Sequence, residues 1–198
     1  YYTVLFVNFS VWLQNNFLSI FAVFILTILS IWIFTLTDTG RLIRDKILLK
    51  VPIFGNLIEQ NTLSKFSKTF GILISAGVSV LDSMGLIVKV VDNRVFELAV
   101  IDASKNIENG VSISESLKNT GVFPPIMIQL LSTGEETGEI DNLSLKASDF
   151  YTKQVNAIVD RLTSLIEPLL IVLVGVVIGG VIVVTYLPIF NFGSALAK

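Results

Sequence analysis

Charged residues are confined to the middle of this 198-residue chain. All 16 acidic residues lie between Asp38 and Glu167, and of the 14 basic residues all but Lys198 lie between Arg41 and Arg161. Residues 1–37 and 168–197 therefore carry no charge. Two uncharged arms around one charged segment exclude an intrinsically disordered chain, and they are unusual for a soluble globular protein.

Each arm contains an apolar stretch of the length that crosses a bilayer. About 20 helical residues, at roughly 1.5 Å each, span about 30 Å, which is the thickness of the hydrocarbon core. The sequence predicts transmembrane helices at residues 17–37 and 167–188, with residues 1–16 and 189–198 as flanks outside the membrane. The alternative is a fully buried helix of a soluble protein, but a chain of this size could hardly enclose two such helices.

Lysine and arginine residues predict the orientation of these spans. Arg41, Arg44, Lys46 and Lys50 follow the first apolar stretch, and Arg161 precedes the second. Because basic residues near membrane spans favour the cytoplasmic side, we expect the middle segment in the cytoplasm and both termini outside.

The middle segment, residues 38–166, has the spacing of helices nearly throughout. Apolar residues three and four apart begin at Leu63 and continue to the second membrane stretch. Several residues have the character of helix caps and stops, namely Gly77, Asp92 or Asn93, Gly110, Ser112 or Ser114, and the pair Pro124 and Pro125. The predicted fold is all-α, with two transmembrane helices flanking a cytoplasmic bundle of about six helices.

The composition leaves little room for catalysis. The chain has no cysteine and no histidine, which excludes disulfides, thiol chemistry, histidine acid–base catalysis and zinc sites with those ligands. No phosphate-binding glycine loop or nucleophile elbow is present. We therefore expect no catalytic residue, no cofactor and no metal ion. The net charge of −2 argues against nucleic acid as a partner.

The densest polar cluster contains the acidic residues Glu135, Glu136, Glu139 and Asp141. It could dock a basic partner surface, or it could be a solvated turn whose acids complement the start of the last helix. These two interpretations stay about equal. A divalent-cation site is disfavoured, because the spacing is unlike that of a calcium-binding loop.

Two further features lie at the second membrane stretch. Glu167 and Pro168 mark the membrane entry, either as a simple helix start or as a packing or switching element. Gly175 and Gly179 form a GxxxG pair, followed by Gly180, and such small residues favour close helix–helix contact within or between subunits.

The order of short motifs resembles a known family. LKVPIFG, FSKTFGILISAGVSVLDSM, NGVSISESL, FPPIMIQLLSTGEETGEI and EPLLI follow one another in the chain. This set resembles the type II secretion system F family, the inner-membrane platform proteins of type II secretion systems, type IV pili and competence pseudopili. The resemblance covers nearly the whole chain and matches the second of two tandem helical domains. Since the chain begins with Tyr1, we expect a longer protein whose first domain precedes it.

The resemblance implies a role in assembly rather than a reaction. Expected partners are a cytoplasmic hexameric ATPase, the transmembrane helices of pilins or pseudopilins, other inner-membrane assembly proteins, membrane lipid and a second copy of the chain, with a dimer favoured. The bacterial inner membrane is the implied location. The family motif assigns signature positions to Gly134, Glu135, Gly138, Glu139, Glu167, Pro168 and Pro188.

Other classes of membrane protein remain as alternatives. A small polytopic membrane enzyme or transporter would normally show histidine, cysteine or an intramembrane charge constellation. A two-span sensor subunit would need an external ligand domain, for which residues 1–16 are too few. Pilus and secretion subfamilies are not separable by these motifs.

Overall fold

The computed structural model describes residues 32–195 without interruption, together with residues 16, 19, 23, 25–27 and 29–30, and its described side chains end at residue 182. Within residues 38–195 the chain is helical and contains no strand, which confirms the all-α prediction for this part. The seven helices are α1 (Asp38–Lys50), α2 (Phe54–Ser75), α3 (Val80–Val90), α4 (Arg94–Glu108), α5 (Ile113–Asn119), α6 (Pro125–Thr137) and α7 (Ile140–Ala195).

The sequence prediction missed α1. Its inward side carries Asp45, whose carboxylate accepts a hydrogen bond from the backbone N–H of Arg94 at 2.8 Å. Its outward side carries exposed apolar residues such as Ile43 and Ile47. Since Leu49 packs against the core on the same side as Asp45, the apolar residues of α1 lie on both sides of the helix, and apolar spacing did not indicate how it packs.

Most other helix ends follow the predicted residues. Asn93 caps α4 by accepting from the Val95 N–H at 2.9 Å, and Ser112 caps α5 by accepting from the Glu115 N–H at 3.3 Å. Gly77 and Gly110 follow their helices with left-handed φ angles of 79° and 85°. These caps satisfy backbone groups that a helix end leaves unpaired.

The core of the bundle forms where α2 crosses its neighbours. The Phe66 ring lies 5.1 Å from the ring of Phe123, which in turn lies 5.7 Å from Phe96 in an edge-on arrangement. Such offset and edge-on aromatic contacts add to the apolar burial. The core therefore links α2 to α4 and to the segment before α6.

Helix α7 runs antiparallel to α2 and then leaves the bundle. The Ser64 hydroxyl lies 2.8 Å from that of Thr152, and Ile53 at the start of α2 lines one pocket with Arg161 and Leu165 of α7. Beyond Leu162 every α7 residue with a described burial is exposed, except Gly179, which is half-buried. Phe150 and Val159, in the part of α7 that packs along the bundle, are exposed as well, at 37% and 44%.

One described helix is long and apolar enough to cross a membrane by itself, in the range Ile140–Ile182 of α7. The predicted span at 167–188 lies in this helix, but Pro168 does not start it, because α7 begins at Ile140 and is helical through Pro168. The interpretation of Glu167 and Pro168 as a helix start was therefore wrong. A proline inside a helix removes one backbone hydrogen bond, and neighbouring groups can compensate for it.

The predicted span at residues 17–37 falls partly outside the described residues and stays a prediction, as do the flanks 1–16 and 189–198. Ile25–Leu36 is long and apolar enough to cross a membrane only together with α1, and the two segments are bent by 99° relative to each other.

Candidate functional site: the acidic turn between α6 and α7

Two glycines shape the acidic turn. Gly138 ends α6 in the left-handed conformation, at φ 74° and ψ 10°. A side chain on Gly134 would place its Cβ 2.8 Å from the Cα of Ile140 in the first turn of α7. Since Gly134 is buried and faces backbone, only glycine allows the two helices to approach this closely.

Glu135 points inward and holds the start of α5. Its carboxylate accepts hydrogen bonds from the backbone N–H of Ile113 at 2.7 Å and of Ser114 at 3.2 Å. The Ser114 hydroxyl donates to the same carboxylate at 2.9 Å. A carboxylate on the free amides of a helix start is stabilising, because it satisfies them and complements the helix dipole. The geometry gives Glu135 an architectural role.

The other acids of the cluster are directed outward to different degrees. Glu136 and Glu139 are exposed, and Asp141 is half-buried in the first turn of α7. The Ser132 hydroxyl donates to Glu136 at 3.1 Å. None of these three acids forms an ion pair with a described residue. Their charge is therefore available to a partner, whereas that of Glu135 is engaged within the fold.

An open groove of about 520 Å³ lies beside Glu136. Its lining includes the apolar Phe123 and Ile128 and the charged Lys118 and Glu136. The turn thus adjoins a partly apolar depression on α5 and α6, which is the combination of apolar anchor and polar rim that protein interfaces use.

The acids do not gather into a metal site in the part of the chain that the structure describes. No group of three or more acidic side chains there has the arrangement that could hold a metal ion. The turn also lies far from the other predicted sites. From Asp141 to Glu167 the continuous helix rises about 39 Å, at 1.5 Å per residue.

The remaining predicted residues occupy the apolar part of α7. Glu167 and Pro168 are exposed, and a Cβ on Gly175, Gly179 or Gly180 would meet no described atom within 4 Å. These glycines are therefore free of close contacts with the described part of their own chain. Pro188 lies in the helical range of α7, beyond the last described side chain.

Sequence reasoning missed one titratable pair near the α2–α7 contact, the buried Tyr151 and the half-buried Glu59. Burial raises the pKa of the Tyr151 phenol to about 12, with a smaller contribution from the negative charge of Glu59. Burial also raises the pKa of Glu59 above its usual value. The Tyr151 hydroxyl has no hydrogen-bond partner among the described residues.

Comparisons with known proteins identify the family. Residues 66–188 match the family of the type II secretion system (T2SS), protein F. The chain is 35% identical to the type IV pilus assembly protein PilC of Myxococcus xanthus (strain DK1622) over 194 residues, which cover 98% of this chain and 46% of that protein.

Two relatives from Pseudomonas aeruginosa extend the comparison. One is a type IV pilus assembly protein PilC, 34% identical over 77% of this chain and 41% of its own length. The other is a type II secretion system protein F, 28% identical over 74% of this chain and 36% of its own length. The chain therefore spans less than half the length of these relatives. Since the family match covers residues 66–188, more than half of the sequence, this chain belongs to the type II secretion system protein F family.

Proposed function

We propose that this chain is the membrane-anchored part of a non-enzymatic platform protein in the bacterial inner membrane. The platform couples a cytoplasmic hexameric ATPase to the assembly of pilin-like subunits in a type IV pilus or a type II secretion machine. The family match supports this role, and the names of the relatives refer to pilus assembly and secretion rather than to a reaction.

The observation that carries the proposal is the continuity of α7. Its first turn contains Asp141 of the acidic turn, and the same unbroken helix continues through the bare apolar segment to Ala195. The helix has 56 residues and a length of about 84 Å at 1.5 Å per residue. Residues 140–162 of this helix pack along the bundle, and the same helix continues into the apolar segment, so movement at the acidic turn is passed into the membrane.

The topology follows from the same helix. Exposed leucine, isoleucine and valine side chains cover α7 from Leu165 to Ile182, and such a surface is stable in lipid. The bundle, residues 38–166, lies in the cytoplasm with its basic residues close to the membrane. Residues 17–37 form the second crossing, which places both termini outside.

The motor binds at the outward acids of the turn. Glu136 and Glu139 are exposed and unpaired among the described residues, and the groove next to Glu136 offers apolar surface. Complementary charge on the motor would mainly raise the association rate, and salt would weaken it.

The glycine face of α7 packs against another transmembrane helix. Gly175 and Gly179 have open space where a side chain would stand, so a second backbone can approach there closely. The occupant is the equivalent helix of a second copy, which gives a homodimer. Pilin or pseudopilin helices and the other inner-membrane assembly proteins contact the remaining apolar surface.

The proposal is tested by weakening α7 where it leaves the bundle. Thr163 and Ser164 are exposed, and the carbonyl of Ser164 faces Pro168, which has no N–H to donate. The variant Thr163→Gly/Ser164→Gly lowers helix stability by about 2 kcal/mol relative to Thr163→Ala/Ser164→Ala. Both variants lose the same side-chain hydrogen bonds to Val159 and Arg161.

Pilus or pseudopilus assembly is expected to fall in cells with the glycine variant and to persist with the alanine variant, while membrane insertion and motor binding stay equal. Equal assembly in both would contradict the coupling through α7.

Motor docking is tested separately in the full-length protein by a salt series. Glu136→Gln/Glu139→Gln is expected to weaken ATPase binding and to flatten its dependence on salt. Asp102→Asn/Glu108→Gln removes the same charge from exposed positions on α4 and is the matched control. If both double variants bind alike, the acidic turn does not dock the motor.

A further inference from the structure

Helix α1 presents an apolar ridge to the outside of the bundle. Ile43 and Ile47 lie about one turn apart on α1, and Val51, the first residue after the helix, follows at the same spacing, because 3.6 residues complete a turn. The exposed fraction of Ile47 is 59%. The apolar surface continues beyond the helix in Ile53 and Phe54, which are exposed at 50% and 56%. Such a contiguous exposed apolar strip marks an interaction surface.

Basic residues border this ridge on both sides. Lys46 and Lys50 form the neighbouring row on one side, and Arg41 and Arg44 lie on the other; all four are exposed. The acids of α1 are directed elsewhere.

Asp45 is buried, where it accepts from the Arg94 N–H, and Asp38 lies 3.7 Å from the Arg94 guanidinium. Arg44 pairs with Asp45 at 2.8 Å, which leaves Arg41, Lys46 and Lys50 without an acidic partner among the described residues.

The ridge lies at the level where α7 leaves the bundle. Ile53 lines the same pocket as Arg161 and Leu165, and Leu165 opens the bare apolar segment of α7. The ridge is therefore continuous with the surface that enters the membrane. Ile53 also has a φ of 72°, which is rare for a β-branched residue and indicates a conformation that its surroundings maintain.

A sharp bend before α1 sets its direction. Ile25–Leu36 and Asp38–Lys50 are bent by 99°. A Cβ on Gly40 would lie 1.8 Å from the carbonyl oxygen of Phe34, so this bend requires glycine at position 40. A helix at a right angle to an apolar segment that enters the membrane lies along the membrane surface.

We propose that α1 is an interfacial helix that lies on the anionic cytoplasmic leaflet of the membrane. Its ridge of Ile43, Ile47 and Val51, extended by Ile53 and Phe54, inserts at the headgroup boundary, and its flanking bases contact lipid phosphates. An apolar face bordered by lysine and arginine is the signature of helices that bind in this way. The inference rests on the membrane location in the proposed function but not on the motor or pilin partners.

A fluorophore attached to a single introduced cysteine tests this placement, since residues 1–198 contain no cysteine of their own. Full-length protein carrying Ile47→Cys, with any cysteine outside this chain replaced by serine, is labelled with an environment-sensitive dye and reconstituted in vesicles of phosphatidylcholine and phosphatidylglycerol. Lipids with a spin label near the headgroup then quench any dye at the interface.

Ile72→Cys is the matched control. Ile72 is an isoleucine with 49% exposure near the other end of α2, about 27 Å along the helix from Phe54. Leu173→Cys, in the bare segment of α7, reports on membrane insertion itself.

The expected result is strong quenching by spin-labelled lipid at residue 47 and little at residue 72. Quenching at residue 47 no greater than at residue 72, with residue 173 protected from an aqueous quencher, would overturn the proposal and would indicate a protein partner for the ridge. A dye at residue 173 that is open to the aqueous quencher would overturn the membrane location and the proposal together.

A charge variant tests the role of the bases. Lys46→Gln/Lys50→Gln in the Ile47→Cys background is expected to lower the docking equilibrium constant of α1 by about 30-fold. Each base near an anionic surface raises this constant about fivefold, and the two effects multiply. The quenching at residue 47 should then need more phosphatidylglycerol. Lys68→Gln/Lys146→Gln removes two exposed bases, one about 21 Å along α2 from Phe54 and one about 32 Å along α7 from Glu167, and should change nothing. Identical lipid dependence in both variants would contradict electrostatic docking.

Discussion

The carboxylate of Glu135 lies 2.7 Å from the backbone nitrogen of Ile113, so an acid of the turn before α7 holds the start of α5. We expect Glu135→Ala to lower the free energy of unfolding by about 1–3 kcal/mol, because it leaves the amides of Ile113 and Ser114 without their acceptor. Chemical denaturation followed by circular dichroism measures this change.

Glu136→Ala is the control for that substitution. Its side chain is exposed one residue further along the same helix, so its effect on stability should stay within about 0.5 kcal/mol. If the two variants are equally stable, the carboxylate of Glu135 does not support α5.

Substitution of Gly134 tests the close approach of α6 to α7. We expect Gly134→Ala to lower stability by about 1–3 kcal/mol, because its Cβ would stand 2.8 Å from the Cα of Ile140 and the backbone must shift. Gly85→Ala, in the interior of α3 with open space around its Cβ, should instead raise stability by about 0.5–1 kcal/mol. Thermal unfolding of both variants compares these changes, and equal shifts would refute the contact.

The buried phenol of Tyr151 predicts a loss of stability at alkaline pH. Its pKa is about 12 in the folded chain and about 10 when unfolded. The folded state therefore binds more protons between these values, so the free energy of unfolding falls as pH rises from about 10. Tyr151→Phe should remove this component. Denaturation midpoints of the wild type and of Tyr151→Phe, measured across this pH range, provide the test. If the two midpoints fall in parallel as pH rises, the phenol of Tyr151 does not cause the loss of stability.

The same linkage applies to Glu59 at acid pH. Burial raises its pKa above 4.5, so stability falls as pH rises through the interval above that value. Glu59→Gln should flatten this part of the profile.

The glycine face of α7 predicts a change in subunit contact. We expect Gly179→Leu to reduce crosslinking between copies of the full-length protein in membranes, because the larger side chain separates the two backbones. Val177→Leu is the control, since residue 177 lies on the opposite side of the helix. Crosslinking that survives Gly179→Leu would remove these glycines from the interface.

Local signals in the sequence predicted much of this fold. Asn93 and Ser112 were among the expected caps, and Gly77 and Gly110 end helices because only glycine enters the left-handed region easily. Apolar residues spaced three and four apart over long stretches predicted the helices of the core. These features depend on neighbours in sequence, which is why they were visible.

Other features depend on contacts between distant residues. The partner of Glu135 lies 22 residues away in sequence, and no local pattern identifies it. Helix α1 was missed because Asp45 faces the bundle while Ile47 faces outward. Pro168 suggested a helix start, but the helix that begins at Ile140 continues through it.

The accessibility of single cysteines from outside the cell tests the cytoplasmic placement of the bundle most directly. Glu108 is exposed at the end of α4, and Ser194 lies close to the end of α7. With an impermeant thiol reagent, Ser194→Cys is expected to label in intact cells, whereas Glu108→Cys should label only after lysis. Labelling of Glu108→Cys in intact cells would contradict the topology, and with it the role as a platform for a cytoplasmic motor.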